Sequence, residues 1–505
     1  MKTKIQVALL VLLGGAAIVR LTGLGIYMFD VDRVRFAMDA ARPVEHDGES
    51  PDPFFVKHNC LTSYTIATYY ATQRADNIYD PAHYRGAEIE SPTHVAVGDA
   101  LTIDRFQYPP PFLLLPRLLA EISGDFFVIR AIWYGLNVAG IGLALVLVAL
   151  WCGGGKLSWA LAICPVVLLA PTTLMSLQFG NVHLLIIALA MLSMLAFARG
   201  WHALGGVILA YATLSKIFPG VLLAYLLVRR KWRSAIWCGV AMIGLGALTL
   251  YVFGAKPLDA FLSFQLPRIA NGEAFDFATR MMKPLAVNLS VYGVPYKLEK
   301  LGVFGAFSPA KVATIFSWIL TGSLVLILAG HRVQTNREQA GRVNPSSRFR
   351  EAAVWLALLV LAQQRSPFLP WTYGTFATLW LIALLIMQGR GWWLRIVPLA
   401  AIGGMLAVNI PPPLGPDTDE FKLRYTLIGW SLILMVSLGV LILRLGLRAP
   451  AVAVVEEPSE PSVPVPVKPT ASAQMQAFAG SPAGTVSTGD HDQPADPTTD
   501  EVDPA

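Results

Sequence analysis

What most constrains this chain is a train of apolar runs, each near the length of one membrane crossing. A bilayer's hydrocarbon core takes about 20 apolar residues as helix. Such runs fall near 5–28, 126–151, 157–177, 182–198, 234–253, 309–330, 351–364, 367–387, 393–410 and 425–446. Backbone polar groups in lipid must be satisfied within the segment, so each run reads as helix. Only 14% of the 505 residues are charged, against roughly 25% in soluble chains. The expected class is an all-α polytopic membrane protein of about ten spans.

The charges divide the chain in two. Residues 449–505 are rich in Pro, Ala, Ser, Thr and Val and hold nine acidic residues and one lysine, Lys468. Such a segment buries too little apolar surface to offset its chain entropy, and reads as a disordered acidic tail. The remaining body, 1–448, holds 38 basic against 24 acidic residues. The overall +6 therefore conceals a strongly basic body. Lys and Arg mark cytoplasmic loops, so this charge needs no nucleic-acid partner.

Lys2 and Lys4 place the N-terminus inside, and the first run reads as an uncleaved span. Alternation then puts 29–125 outside, Lys156 inside, Gln178–Gly180 outside and Arg199 inside. Residues 203–228 conflict with a single crossing, because both flanks are basic: Arg199 before, Arg229, Arg230, Lys231 and Arg233 after. Lys216-Ile217-Phe218-Pro219-Gly220 resolves the conflict. Proline removes a backbone donor and glycine loosens the chain, so the helix breaks there. Two short helices, 203–214 and 220–228, form a hairpin with Lys216 at its tip. The rest alternates: 254–308 outside, 331–350 inside, 363–367 outside, Arg390 and Arg395 inside, 411–424 outside, with the tail cytoplasmic. The expectation is a cell-membrane, multi-pass protein with both termini inside and the active site facing outside.

Polar residues concentrate in the two long outer loops, 29–125 and 254–308, and at the outer ends of spans. A transporter hides its polar residues within the spans; this pattern favours an enzyme acting at the outer face. A transporter or flippase of a polyprenyl-linked glycan is the alternative, and a catalytically silent partner of another transferase is a third. The loop aromatics, Tyr64, Tyr79 and Tyr84 among them, read mostly as interfacial anchors. Of the cysteines at 60, 152, 164 and 238 only Cys60 falls outside, so no disulfide framework is available there. There is no CxxC, HExxH, Walker A or dinucleotide fingerprint, and so no dedicated metal or nucleotide site in the pattern. Asn288-Leu289-Ser290 matches the glycosylation triplet, a pattern short enough to arise by chance.

Five strings in order carry a resemblance: Asn77-Ile78-Tyr79-Asp80-Pro81 closing a Tyr/Ala-rich helix; Phe106-Gln107-Tyr108-Pro109-Pro110; Gln178-Phe179-Gly180-Asn181-Val182-His183; Lys216-Ile217-Phe218-Pro219 with Arg229-Arg230-Lys231-Trp232-Arg233; and Ser366-Pro367 with Trp371-Thr372-Tyr373. Over roughly 60–375 the chain resembles glycosyltransferase family 87 of the C-type superfamily. That resemblance implies transfer of a mannose or arabinofuranose type of sugar from a polyprenyl-phosphate donor to a glycolipid or glycan acceptor at the outer face. It also implies an aspartate base early in the first loop and cationic side chains on the donor phosphate. A hydroxyl becomes a useful nucleophile once a base takes its proton, and fixed cations stabilise the leaving phosphate. No cofactor is then required. A divalent metal is compatible with the chemistry but is not written in the sequence.

The sequence departs from that pattern where it matters. Counting back from Tyr79-Asp80, the expected aspartate falls near His58-Asn59-Cys60, which holds no carboxylate. Asp30, Asp32 and His58 are the candidate bases; ordinary span-end charges and a surface histidine beside Lys57 are the plain alternatives. Lys216 is the leading phosphate ligand, since a lysine at membrane depth is costly; snorkelling is its alternative. Arg365 and Arg105 are further phosphate candidates. Tyr108, Asn181, His183 and Trp371 are candidate substrate contacts, with helix capping the alternative for Asn181. Asp80 and Asp104 read as holding loop structure.

Overall fold

A computed structural model describes residues 2–29, 58–84, 103–153, 157–303, 308–339, 348–388 and 419–444. Asp30, Asp32, the run 393–410 and the acidic tail lie outside the described residues. Helices dominate; among the described residues the one β feature is an isolated bridge between Asn288 and Pro370.

The first helix, α1 (Lys2–Phe29), precedes the first long loop, which contributes α2 (Leu61–Thr72) and α3 (Leu114–Ile122). Then follow α4 (Phe126–Cys152), α5 (Leu157–Leu169), α6 (Pro171–Gln178), α7 (His183–Ala198), α8 (His202–Ser215), α9 (Gly220–Val228) and α10 (Trp232–Phe253). Short helical turns occupy 256–287. The chain continues through α11 (Val294–Lys300), α12 (Pro309–Gln339), α13 (Arg348–Gln363), α14 (Trp371–Gly374), α15 (Phe376–Gln388) and α16 (Asp419–Arg444).

Five of these are long and apolar enough to cross a membrane: Val7–Met28, Phe126–Cys152, Trp232–Phe253, Pro309–His331 and Glu420–Leu441. Their outward surfaces are apolar, with Val19, Ile243 and Leu326 all more than 70% exposed, as lipid contact requires and water would not favour. The predicted single span 157–177 is instead a pair, Leu161–Leu169 and Pro171–Gln178, bent by 60°. The cause is local. Pro171 occupies the first position of α6 and forces Ala170 into extended backbone (ψ 131°), as residues before proline prefer. Counted as one bent span, this pair makes six. Helices also fill the predicted runs 182–198, 351–364 and 367–387, but they are shorter. Sixteen residues in each of α7 and α13 rise roughly 24 Å, less than the ~30 Å of hydrocarbon.

The helix break at 216–219 is where the sequence places it. Lys216 takes extended backbone at the end of α8, and Gly220 opens α9. At the other end of α8, His202 Nδ1 lies 3.1 Å from Ser234 Oγ in the first turn of α10. The chain leaving α9 has thus returned to the level at which α8 began. Gly206 permits this approach, since a Cβ there would lie 2.7 Å from the Trp237 carbonyl carbon. Helix α7 is buried nearly all round, the mark of a helix at the centre of a bundle. It presents His183, its first residue, at one end.

The loop aromatics pack rather than anchor. Tyr64, Tyr79, Tyr84, Phe106 and Phe112 are buried in one cluster with Trp133 of α4. Tyr64 meets the rings of Phe112 and Trp133 edge-on, at 4.7 and 5.6 Å. The first long loop is in this part a folded cap on the bundle.

Candidate functional site

Three turns meet at His183. The first is Gln178–Val182, between α6 and α7. Its Gly180 has φ +65°, and a Cβ there would fall 2.9 Å from Asn59 Oδ1. Glycine is needed on both counts. Asn59 Nδ2 donates to the Gln178 carbonyl at 3.3 Å, the Cys60 amide to the Phe179 carbonyl at 2.7 Å, and Trp133 Nε1 to the Gly180 carbonyl at 2.8 Å. The start of α2 is thereby fastened to this turn. Asn181 Oδ1 accepts from the His183 amide at 2.9 Å, while its Nδ2 donates to Cys60 Sγ at 3.4 Å. Asn181 thus both starts α7 and reaches the first loop.

The second turn carries Lys216. Its Nζ donates to His183 Nδ1 at 3.1 Å and stands over the rings of Tyr108 (5.0 Å) and Tyr373 (5.1 Å). No carboxylate lies within ion-pair distance of Lys216 among the described residues. The third turn follows α13. His183 Nε2 donates to Gln363 Oε1 at 2.9 Å, and Gln363 Nε2 donates to the Gly374 carbonyl at 3.0 Å. The directions are mutually consistent. With Nδ1 accepting from the ammonium, the proton of a neutral imidazole sits on Nε2, where the amide oxygen accepts it. The His183 ring also packs on Phe218 and Tyr373.

The second long loop, 254–308, holds that third turn in place. Asn288 Nδ2 donates to the Pro367 carbonyl at 3.0 Å, and its Oδ1 accepts from the Leu369 amide at 2.9 Å. The Leu289 amide donates to the Leu369 carbonyl at 2.7 Å and that of Val291 to the Gln364 carbonyl at 3.0 Å. Asn288 of the Asn-Leu-Ser triplet is therefore a buried clamp.

Beside Lys216 lies a second cluster. His58 Nε2 is 3.4 Å from Asp104 Oδ2 and 3.5 Å from Cys60 Sγ. Asp104, expected to hold loop structure, joins this group. Its amide donates to Thr62 Oγ1 at 3.2 Å, which ties the far end of the loop to α2. Burial raises the Asp104 carboxyl above its ordinary value, partly opposed by His58. Burial, and then the Asp104 charge, push the Cys60 thiol up. Each of His58, Cys60 and Asp104 offers one ligand atom, all within 4.8 Å of one another.

The chain from Asp104 to Tyr108 forms a wall between two spaces. Asp104 and Tyr108 face the cluster, and Phe106 fills the core. Arg105 and Gln107 face the other side, as alternation along extended backbone requires. There they line a cavity of about 310 Å³ with Gln265, Arg268, Glu273 and Phe277. Arg268 pairs with Glu273 and Arg280 with Asp276.

The predicted site residues thus divide. Lys216, His183, Asn181, Tyr108 and His58 come together. Arg105 lies across the wall, exposed. Arg365 stands apart and exposed, with Nε donating to Ser317 Oγ at 3.4 Å and the guanidinium over Trp318. Trp371 opens α14, and its neighbour Tyr373 is the one that reaches Lys216. Asp104, read as loop structure, and Cys60, Tyr373 and Gln363, which no sequence motif singles out for the site, also take part in it.

A helical membrane protein in which a cation, an imidazole, a carboxylate and aromatic faces converge at the end of the bundle has the makings of a group-transfer enzyme. The family comparison gives that class a name. The profile of glycosyltransferase family 87 matches residues 106–360, half of the chain. The chain belongs to this family and is by that membership a glycosyltransferase. Lys216, His183, Asn181, Tyr108 and the hairpin lie inside the matched segment; His58, Cys60 and Asp104 precede it. No curated protein and no solved structure matches the chain.

Proposed function

We propose that the chain transfers a sugar of the mannose or arabinofuranose type from a polyprenyl-phosphate donor to a glycolipid or glycan acceptor at the outer face of a cell membrane, with both termini cytoplasmic. The short helices α7, α13 and α15, together with the apolar run 393–410, complete a bundle of about ten spans, and α8 with α9 adds a re-entrant hairpin presenting Lys216 outward. The observation that carries the reading is the placing of the Lys216 ammonium, without a carboxylate partner among the described residues, beside the one described cluster that joins an imidazole to a carboxylate.

The roles follow from charge. Lys216 holds the donor phosphate and stabilises the charge that grows on it as the anomeric C–O bond breaks. His183 and Gln363 fix the direction of the ammonium. The acceptor hydroxyl enters between Lys216 and the His58–Asp104 pair, which takes its proton. Asp104 supplies in space the carboxylate that the stretch 58–60 lacks, which favours an active enzyme over a silent partner. Tyr108 and Tyr373 offer ring faces to the sugar and the cation. The cavity behind Arg105 and Gln107, across the 104–108 strip from the reacting hydroxyl, receives the remoter part of the acceptor, its arginines, amides and Phe277 being groups that bind glycan hydroxyls and acidic substituents.

The test is transfer by the purified full chain from a panel of polyprenyl-phosphate sugars to lipid acceptors, with product read by mass spectrometry. Transfer from at least one lipid-phosphate donor, lost in Lys216→Met, is expected. Transfer only from nucleotide sugars, or lipid translocation without transfer, refutes the reading.

A further inference from the structure

We infer that His58, Cys60 and Asp104 bind a divalent transition metal, zinc by the chemistry of the donors, with a fourth position open toward the acceptor. This deepens the transferase reading and rests on it for the metal's role, though not for the metal's presence.

Three unlike donors stand within 4.8 Å of one another. Cys60 Sγ and Asp104 Oδ2 both face the same ring nitrogen, His58 Nε2, at 3.5 and 3.4 Å. A Cys–His–Asp relay would use the two ring nitrogens, one toward each partner. A hydrogen bond between nitrogen and oxygen centres near 2.9–3.0 Å, shorter than the 3.4 Å from Nε2 to Oδ2. The Cys60 thiol also lies within hydrogen-bond range of the Asp104 carboxyl, so each of the three donors stands beside the other two. The spacing suits a common centre instead. With Zn–N and Zn–O near 2.0–2.2 Å and Zn–S near 2.3 Å, tetrahedral ligands stand roughly 3.3–3.4 Å (N to O) and 3.5–3.6 Å (N to S) apart. Thiolate with imidazole selects zinc over magnesium or calcium. Three protein ligands with an open fourth position is the catalytic pattern, whereas a structural site closes all four.

The surroundings orient the ligands as metal sites require. Asn181 Nδ2 donates to the sulfur at 3.4 Å. The Cys60 amide is fastened to the Phe179 carbonyl, and the Asp104 amide to Thr62. Such outer contacts hold ligand geometry. The thiolate and carboxylate together balance a divalent charge, leaving Lys216 free for an anion. The acceptor hydroxyl would take the open position, where the metal makes it more acidic. Its proton passes to Asp104 Oδ1, its oxygen bonds the anomeric carbon, and the C–O bond to phosphate breaks with the electron pair leaving on phosphate.

The experiment uses the full chain, purified with a histidine-free tag and reconstituted in nanodiscs. Metal content is read by elemental mass spectrometry. Cobalt is titrated into chelator-treated protein and followed by absorption. About one zinc per chain is expected, with a sulfur-to-cobalt charge-transfer band that Cys60→Ser abolishes. Asn181→Ala should weaken metal binding about 10–100-fold while leaving the three ligands in place. The cobalt band is read on the unsubstituted protein, so the proposal stays testable if a ligand variant fails to fold. A chain that transfers sugar at full rate after chelation and gives no sulfur–cobalt band overturns the metal site and leaves the transferase reading standing. A chain that holds zinc through Cys60 but transfers from no lipid-phosphate donor supports the site and overturns the donor.

Discussion

Replacing Lys216 by methionine tests the site most directly, because its expected cost can be worked from the geometry. Methionine keeps the length and apolar body of the side chain and removes the charge. The ammonium makes one hydrogen bond within the protein, to His183 Nδ1 at 3.1 Å, and stands about 5 Å from two ring centres. Its other donors can therefore reach a bound phosphate. Two unit charges about 4 Å apart interact by about 4 kcal/mol at an effective dielectric near 20. Only the part that grows as the phosphate departs lowers the barrier. Taking half to all of it gives about 2–4 kcal/mol, or roughly 30- to 1000-fold in kcat/KM. Lys216→Arg keeps the charge with a different shape and should fall between methionine and wild type. The assay is initial-rate transfer from the preferred lipid-phosphate sugar, with thermal unfolding in detergent to confirm the fold. A methionine variant within threefold of wild type refutes the assignment of Lys216 to the donor phosphate.

Asp104→Asn keeps the shape and removes the carboxylate; kcat should fall about 10²- to 10⁴-fold with donor affinity, read by equilibrium binding, nearly unchanged. Gly206→Leu forces a side chain into the Trp237 backbone and should lower the unfolding temperature, with activity falling in step as the hairpin shifts. Lys297, 1% exposed, donates to Thr426 Oγ1 at 2.5 Å and has no carboxylate partner among the described residues. Burial lowers it from 10.5 to about 7. The unfolded chain therefore binds more protons between about pH 7 and 10.5, and this residue's contribution to stability rises with pH across that window and is poorest below it. Lys297→Met should stabilise by about 3–5 kcal/mol near pH 6, with the gain shrinking toward pH 10 in thermal scans; an equal gain at both pH values contradicts the buried-cation account. Thr426 keeps bonds to the Lys422 and Leu423 carbonyls in that variant, so no hydroxyl is orphaned.

Features set by neighbours in sequence were legible before the structure. The helix break at 216–219 was read from Pro219 and Gly220, and the helix ends fall within a residue of the expected 203–214 and 220–228. Gln178–His183 was picked out as a string, and it is the hub of the site. The bend at Ala170–Pro171 has an equally local cause, but inside an unbroken apolar run the hydropathy signal outweighed the proline. What one sequence could not show is contact across the chain. Asp104 was read as loop structure because nothing near it marks chemistry; its partner His58 comes from the other end of a loop. Arg365 drew attention by its charge, yet the residue in contact with His183 is Gln363. Gln363 is the last residue of α13 and faces inward, while Arg365 lies in the turn beyond the helix end and is exposed, so helical periodicity alone does not say which of the two reaches the site. A carboxylate sought only along the chain from Tyr79-Asp80 is missing. Sought in space, it stands 3.4 Å from His58, because the fold closes the loop on itself and delivers Asp104 and Tyr108 to the lysine on one face of a single extended strip.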